Sequence, residues 1–211
     1  MSLAFLVDVD NTLLDNDRFR EDLRAQLAAE HGDDERDRYW AIQERRFAEL
    51  GYRDYLGAVQ EWWEAGGRKP RQLSASRYLL EYPFAERLYP AALDVLAHLR
   101  TLGLAIVLTD GEAVFQAHKV VRSGIGDAVD GAVLVYVHKE EELADVESRY
   151  PAARYVLVDD KPRILSAAKA HWGDRVTTVL PLQGQFAGQA AELPPDLTVE
   201  RIADLVGVSF V

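Results

Sequence analysis

Two aspartates, Asp8 and Asp10, stand two residues apart at the end of the first apolar run, Phe5-Leu6-Val7-Asp8-Val9-Asp10-Asn11-Thr12-Leu13. Like charges held this close repel unless a cation or a proton lies between them, so the pair predicts a metal site, a shared proton or an exposed turn. Three later runs end in equally reactive residues. Thr109-Asp110-Gly111 follows Ile106-Val107-Leu108, Lys139 follows a third run, and Asp159-Asp160 follows Val156-Leu157-Val158. Brought together, these groups could divide a phosphoryl transfer among them. A carboxylate can attack phosphorus, and a neighbouring acid can protonate the leaving oxygen and then activate water. Mg²⁺ takes oxygen ligands, and Asp8 with Asp159 or Asp160 would supply them. The Thr109 hydroxyl, with backbone N–H groups at a helix start near Gly111, could hold phosphoryl oxygens. Lys139 could neutralise the charge shared by nucleophile and phosphate.

For these residues to meet, the runs must be neighbouring strands. Ala4–Val9, Ala105–Thr109, Ala132–Val137, Tyr155–Val158 and Val176–Leu180 are short, apolar and strand-like. Amphipathic segments around Ala113–Arg122, Glu140–Ser148 and Arg163–His171 separate the last four, and Ala91–Leu102 reads as a helix between Pro90 and Gly103. Alternating strands and helices imply an α/β fold with a doubly wound, Rossmann-like parallel sheet, whose strand ends gather on one edge. The stretch Asp17–Leu88 breaks this rhythm. Phe19, Leu23 and Leu27, then Trp40, Gln43, Phe47 and Leu50, then Leu56, Val59 and Trp63 follow helical spacing. Three or four inserted helices are expected, with breaks at Gly51, Gly57 and Gly66–Pro70. Trp40, Trp62 and Trp63 read as helical core, and Arg45, Arg46 and Arg53 as solvated charge. The tail after Leu180 reads as mostly loop with a short helix near Val199–Val206.

In this order, Asp8-Val9-Asp10-Asn11-Thr12, Thr109-Asp110-Gly111, Lys139 and Asp159-Asp160 resemble the four motifs of the haloacid dehalogenase superfamily. The resemblance covers nearly the whole chain. It implies a core of residues 1–15 plus 89–211 and a C1-type helical cap over residues 16–88. It also implies roles: Asp8 as nucleophile and metal ligand, and Asp10 as general acid/base with its carbonyl on the metal. Thr109, Asp110, Gly111 and Lys139 would contact the phosphoryl group, and the pair Asp159 and Asp160 would serve Mg²⁺, with Asp160 as the main metal-binding acid and direct contact by either one left open. Asn11 stands where Gly is frequent. Lys119 and Lys161 are rival candidates for the third motif; Lys161 is read as pairing with the acids just before it. His118 and His138 receive no role.

Composition narrows the alternatives. The net charge of −11 disfavours nucleic-acid and anionic-membrane partners, while a small phosphorylated substrate remains compatible with a bound cation. The absence of cysteine removes disulfides and thiol nucleophiles. The first apolar run is too short for a signal peptide, so a cytoplasmic protein is expected, with monomer and homodimer both open. The leading expectation is a Mg²⁺-dependent phosphohydrolase. A 2-haloacid dehalogenase or a phosphomutase on the same fold is the alternative; the former needs neither metal nor Asp10. A non-enzymatic phospho-switch is a third reading, but its phospho-accepting Asp follows a middle strand and its Lys comes last.

Overall fold

A computed structural model describes residues 2–210. Six parallel strands form one sheet in the order β3-β2-β1-β4-β5-β6. They are β1 (Leu3–Val7), β2 (Leu104–Asp110), β3 (Val133–Tyr136), β4 (Arg154–Val158), β5 (Val176–Pro181) and β6 (Leu197–Val199). Central strands are buried on both faces, which is why they read as unbroken apolar runs. In β1, Phe5 and Val7 point into one core cluster while Ala4 and Leu6 point into the other. Val7 is level with Val107 on one side and Val158 on the other. β1 and β4 therefore end level with each other, and β2 runs on three residues past Val107 to Asp110.

Between β1 and β2 lie α1 (Asn16–His31), α2 (Asp33–Leu50), α3 (Tyr55–Ala65), α4 (Ser74–Glu81) and α5 (Ala92–Leu102). The first four form the expected helical insertion. α1 buries Phe19, Leu23, Leu27 and His31, one stripe at i, i+4, i+8 and i+12. Burying a side chain such as Phe19 contributes about 2 kcal/mol. Asp15 caps α1 by accepting from the Arg18 N–H at 2.9 Å. Two short crossings join insertion and sheet, and they pair with each other: Leu14 bridges Leu88 antiparallel, and the Tyr89 N–H donates to the Leu13 carbonyl at 2.9 Å.

The remaining helices are α6 (Ala113–Ser123), α7 (Ile125–Ala128), α8 (Leu143–Arg149) and α9 (Pro162–Trp172), with a 3-10 turn at Ile202–Gly207. Among the described residues, no helix is long and apolar enough to cross a membrane.

Four details differ from the sequence reading. Gly57 is not a break; it lies in the first turn of α3, where its N–H donates to the cap Asp54 at 2.7 Å. The buried face of α2 carries Tyr39 and Gln43 rather than Trp40, Phe47 and Leu50. This helix is charged nearly all round, so its apolar period is ambiguous. Trp40 lies under the Arg24 guanidinium at 5.0 Å and Phe47 under that of Arg53 at 4.5 Å. Trp62 is buried as expected, while Trp40 and Trp63 are only partly covered. The tail is mostly loop with a short helical turn at Ile202–Gly207, as expected, but it also holds an unforeseen strand, Leu197–Val199, that extends the sheet beside β5.

Candidate active site

The loop from Asp8 to Asp15 is folded by its own backbone. The Leu13 and Leu14 N–H groups both donate to the Val9 carbonyl at 2.9 Å, and the Asn11 N–H donates to the Leu14 carbonyl at 2.7 Å. Asn11 adopts φ +59°, a left-handed conformation that Asn tolerates better than most residues. Its side-chain oxygen also accepts from the N–H groups of Asn16 and Asp17 at 3.1 and 3.2 Å, tying this loop to the start of α1. From the other end of the chain, the Gln183 amide donates to the Thr12 carbonyl at 3.0 Å and to that of Asn11 at 3.5 Å. Gly184 packs on Asn11 so closely that a Cβ there would lie 2.4 Å from the Asn11 Cβ.

At the sheet edge, Asp8, Asp159 and Asp160 are all buried, and one carboxylate oxygen of each lies within 4.8 Å of the others. Lys139 is fully buried beside them. Its ammonium donates to Asp8 and to the Leu108 carbonyl (3.2 Å), and lies 2.6 Å from Asp159 and 3.4 Å from Asp110. This excludes a merely solvated helix start. Lys161 does not pair with its neighbouring acids as expected. Its ammonium grips both oxygens of Asp110 at 2.7 and 2.8 Å, while its backbone N–H donates to Asp159 at 2.9 Å.

Burial sets the proton affinities here. It raises Asp8, Lys139 offsets it in part and Asp159 adds to it, bringing the carboxyl up to about 7. Burial, then the charges of Asp8 and Asp159, push Asp160 up to about 9. Burial also acts on Asp110, but Lys161 and Lys139 together outweigh it and hold that carboxyl below the usual range. Lys139 is raised well above an ordinary lysine: Asp159, Asp8 and Asp110 outweigh the effect of burial.

These groups fit a divalent cation. Asp8 Oδ2 and both Asp160 oxygens are buried with no hydrogen-bond partner. With all four carboxylates (Asp8, Asp110, Asp159, Asp160) ionised, the two ammonium groups (Lys139, Lys161) would leave two negative charges uncompensated, a load that the metal-free cluster relieves by holding protons on Asp160 and Asp8. The Asp10 carboxylate is not part of this cluster. Both of its oxygens accept from Lys119, at 2.7 and 2.8 Å, so only its backbone carbonyl is available in the metal role implied by the resemblance.

Lys119 is the residue that sequence reasoning undervalued. It is fully buried on α6, donates also to the Asn16 side chain at 3.1 Å, and sits 5.7–5.9 Å from the ring centres of Phe19, Phe84 and Phe115. Its signal was its register: with Phe115 and Ser123 it falls on the buried stripe of α6. Thr109 is buried, and its hydroxyl accepts from the Gln116 amide at 2.7 Å, leaving one O–H to donate. The backbone cradle expected near Gly111 is narrower than foreseen. The Gly111 N–H donates to Tyr136, and those of Val114 and Phe115 are capped by Glu112. His118 contacts the Leu80 carbonyl and His138 packs on Tyr52, away from the acids. Arg45 and Arg46 pair with Glu61 and Asp54 on the surface of the insertion.

A cavity of about 240 Å³ opens between insertion and sheet edge, lined by Asp10, Asn16, Arg20, Arg53, Phe115 and Lys161 among others.

Comparison with known proteins identifies the family and the fold. A family model described as haloacid dehalogenase-like hydrolase matches residues 3–171. The crystal structure of a haloacid dehalogenase-like hydrolase from Burkholderia xenovorans LB400 is 50% identical, covers 98% of this chain and 95% of its own, and superposes with a TM-score of 0.93. The magnesium-bound HAD-hydrolase YfnB of Bacillus subtilis (19% identity, coverage 98% and 97%, TM-score 0.67) shares the fold. So does L-2-haloacid dehalogenase from Xanthobacter autotrophicus with chloropropionic acid covalently bound (17%, 98% and 98%, 0.65). Among curated proteins, none matches the sequence. The matched span and the 50% identical relative establish that the chain belongs to the haloacid dehalogenase-like hydrolases.

Proposed function

We propose that this hydrolase is a Mg²⁺-dependent phosphatase of a small phosphorylated molecule, with residues 16–88 acting as a cap over the core. The observation that carries this is the buried trio Asp8, Asp159 and Asp160, whose unpartnered oxygens and excess negative charge suit a divalent cation. Such an ion, held by these three residues, would supply charge neutralisation for an incoming phosphate.

The protein's own groups account for the rest. Asp8 attacks phosphorus as the bond to the leaving oxygen breaks, giving an aspartyl phosphate. Asp10 delivers a proton to the departing alkoxide, then takes one from the water that attacks the phosphoenzyme, releasing phosphate and restoring Asp8. Lys139, touching Asp8, stabilises the charge that nucleophile and phosphoryl group share. The Thr109 O–H donates to a phosphoryl oxygen. Lys119 holds Asp10 with a two-oxygen grip and thereby orients it.

Asp10 also separates this reading from a dehalogenase, since displacement at carbon leaves a halide that needs no proton. Purified protein should hydrolyse phenyl phosphate with Mg²⁺, stop in EDTA, and lose turnover in Asp8→Asn. Halide release from a 2-haloacid, without phosphatase activity under any divalent metal, would replace the proposal with the dehalogenase reading.

Lys119→Met keeps the volume and the ring contacts while removing the grip on Asp10. It should lower kcat by about 10²-fold, within the range general acid–base catalysis supplies, and change KM little. Equal losses in kcat and in folding stability, or a purely KM effect, would make Lys119 a packing residue only.

A further inference from the structure

Four cations line the cavity: Arg20, Arg53, Lys161 and Arg163. Three of them are already occupied. Arg53 forks onto both oxygens of Glu44 at 2.8 and 3.2 Å. Lys161 holds both oxygens of Asp110, and Arg163 is bonded to Glu140. Arg20 differs. Its side chain is only 18% exposed, yet it makes no hydrogen bond to any carboxylate among the described residues. The nearest acids, Glu44 and Asp17, lie at 3.9 and 4.0 Å. Glu44 is committed to Arg53, and Asp17 accepts the Asn11 amide at 3.3 Å. The one hydrogen bond of Arg20 is a 3.3 Å contact to the Gln185 amide oxygen, and its buried Nε has no partner at all.

A guanidinium withdrawn from water and left with unused donors is costly unless an acceptor arrives. From this geometry we infer that Arg20 is the specificity residue for a second anionic group on the substrate, a carboxylate, carried by the part that leaves with the oxygen. The inference rests on the phosphatase reading. Arg20 projects from α1, on the insertion, into a cavity that Asp10 also lines, so a group bound there belongs to the part of the substrate that Asp10 protonates as it leaves. A planar fork suits a carboxylate. The acids about 4 Å away temper the local positive charge, which favours a monoanion over a second phosphate. The cavity of about 240 Å³ matches a short phosphorylated acid better than a nucleotide or peptide.

The test compares 2-carboxyethyl phosphate with propyl phosphate, which differ only at the far end, and uses phenyl phosphate as the control. Wild type should show a kcat/KM about tenfold or more higher for the carboxylated ester, the gain of a charge-assisted hydrogen bond. Arg20→Gln should erase that ratio through KM, and Arg20→Lys should keep part of it. Calorimetry with 3-phosphonopropionate against propylphosphonate should repeat the pattern without turnover. Equal treatment of the two esters by wild type, or an equal fall for both in Arg20→Gln, would overturn the assignment while leaving the phosphatase reading intact. Failure to hydrolyse even phenyl phosphate would overturn both.

Discussion

Asp160→Asn should raise the thermal stability of the metal-free protein at neutral pH while abolishing its response to Mg²⁺. The Asp160 carboxyl binds its proton up to about pH 9 in the folded chain, against about 3.9 unfolded. A group whose proton affinity rises on folding contributes its stability below the unfolded value and loses it as pH climbs through the folded one. Metal-free wild type should therefore lose stability from about pH 4 to about pH 9, with Asp8, raised to about 7, adding to the loss over the lower part of that span. The amide does not ionise, so the advantage of Asp160→Asn should widen as pH rises. Excess Mg²⁺ should reverse the order by stabilising wild type alone, because ligand binding to the folded state adds stability. Melting curves in EDTA and in Mg²⁺ across this range decide it. A pH-independent wild-type melt in EDTA, or an undiminished Mg²⁺ shift in Asp160→Asn, would contradict the metal assignment.

Lys139→Met should damage stability and turnover together. Its ammonium touches Asp8, Asp159 and Asp110, all deeply buried, and a methionine leaves them facing one another. Removing one partner of a buried ion pair costs about 3–5 kcal/mol. The deficit should shrink in acid, where Asp8 takes up a proton. Turnover should fall by about 10²–10³, the scale seen when one preorganised electrostatic group is removed. Urea melts at about pH 5 and about pH 8, with kcat on the folded fraction, measure both. A stability loss under about 1 kcal/mol would mean that water enters the cluster freely.

What the sequence revealed follows from how each element is held. Parallel strands buried on both faces must be apolar throughout, so β1, β2, β4 and β5 stood out, and the acids at the ends of β1, β2 and β4 marked the edge. β6 did not, because three residues after Pro194 and Pro195 carry no pattern of their own. The sheet beside them makes them a strand. Asp8, Lys139, Asp159 and Asp160 were legible because each ends or follows an apolar run. Lys119 was not, because its meaning depends on Asp10, 109 positions earlier in the chain. Arg20 was silent for a similar reason: a charged residue on an amphipathic helix looks solvated until the fold closes a cavity around it.

Gln183 holds the carbonyls of Asn11 and Thr12, and a side chain at position 184 would strike Asn11. The two ends of the chain cannot therefore drift apart independently over generations. A change in the bulk at position 11 demands an answer at 184, and a chimera joining the head of one relative to the tail of another would mate a key with a lock cut for something else. Whatever chemistry such hydrolases acquire by redesigning the helices in between, the segments around residues 11 and 184 must be inherited as one piece.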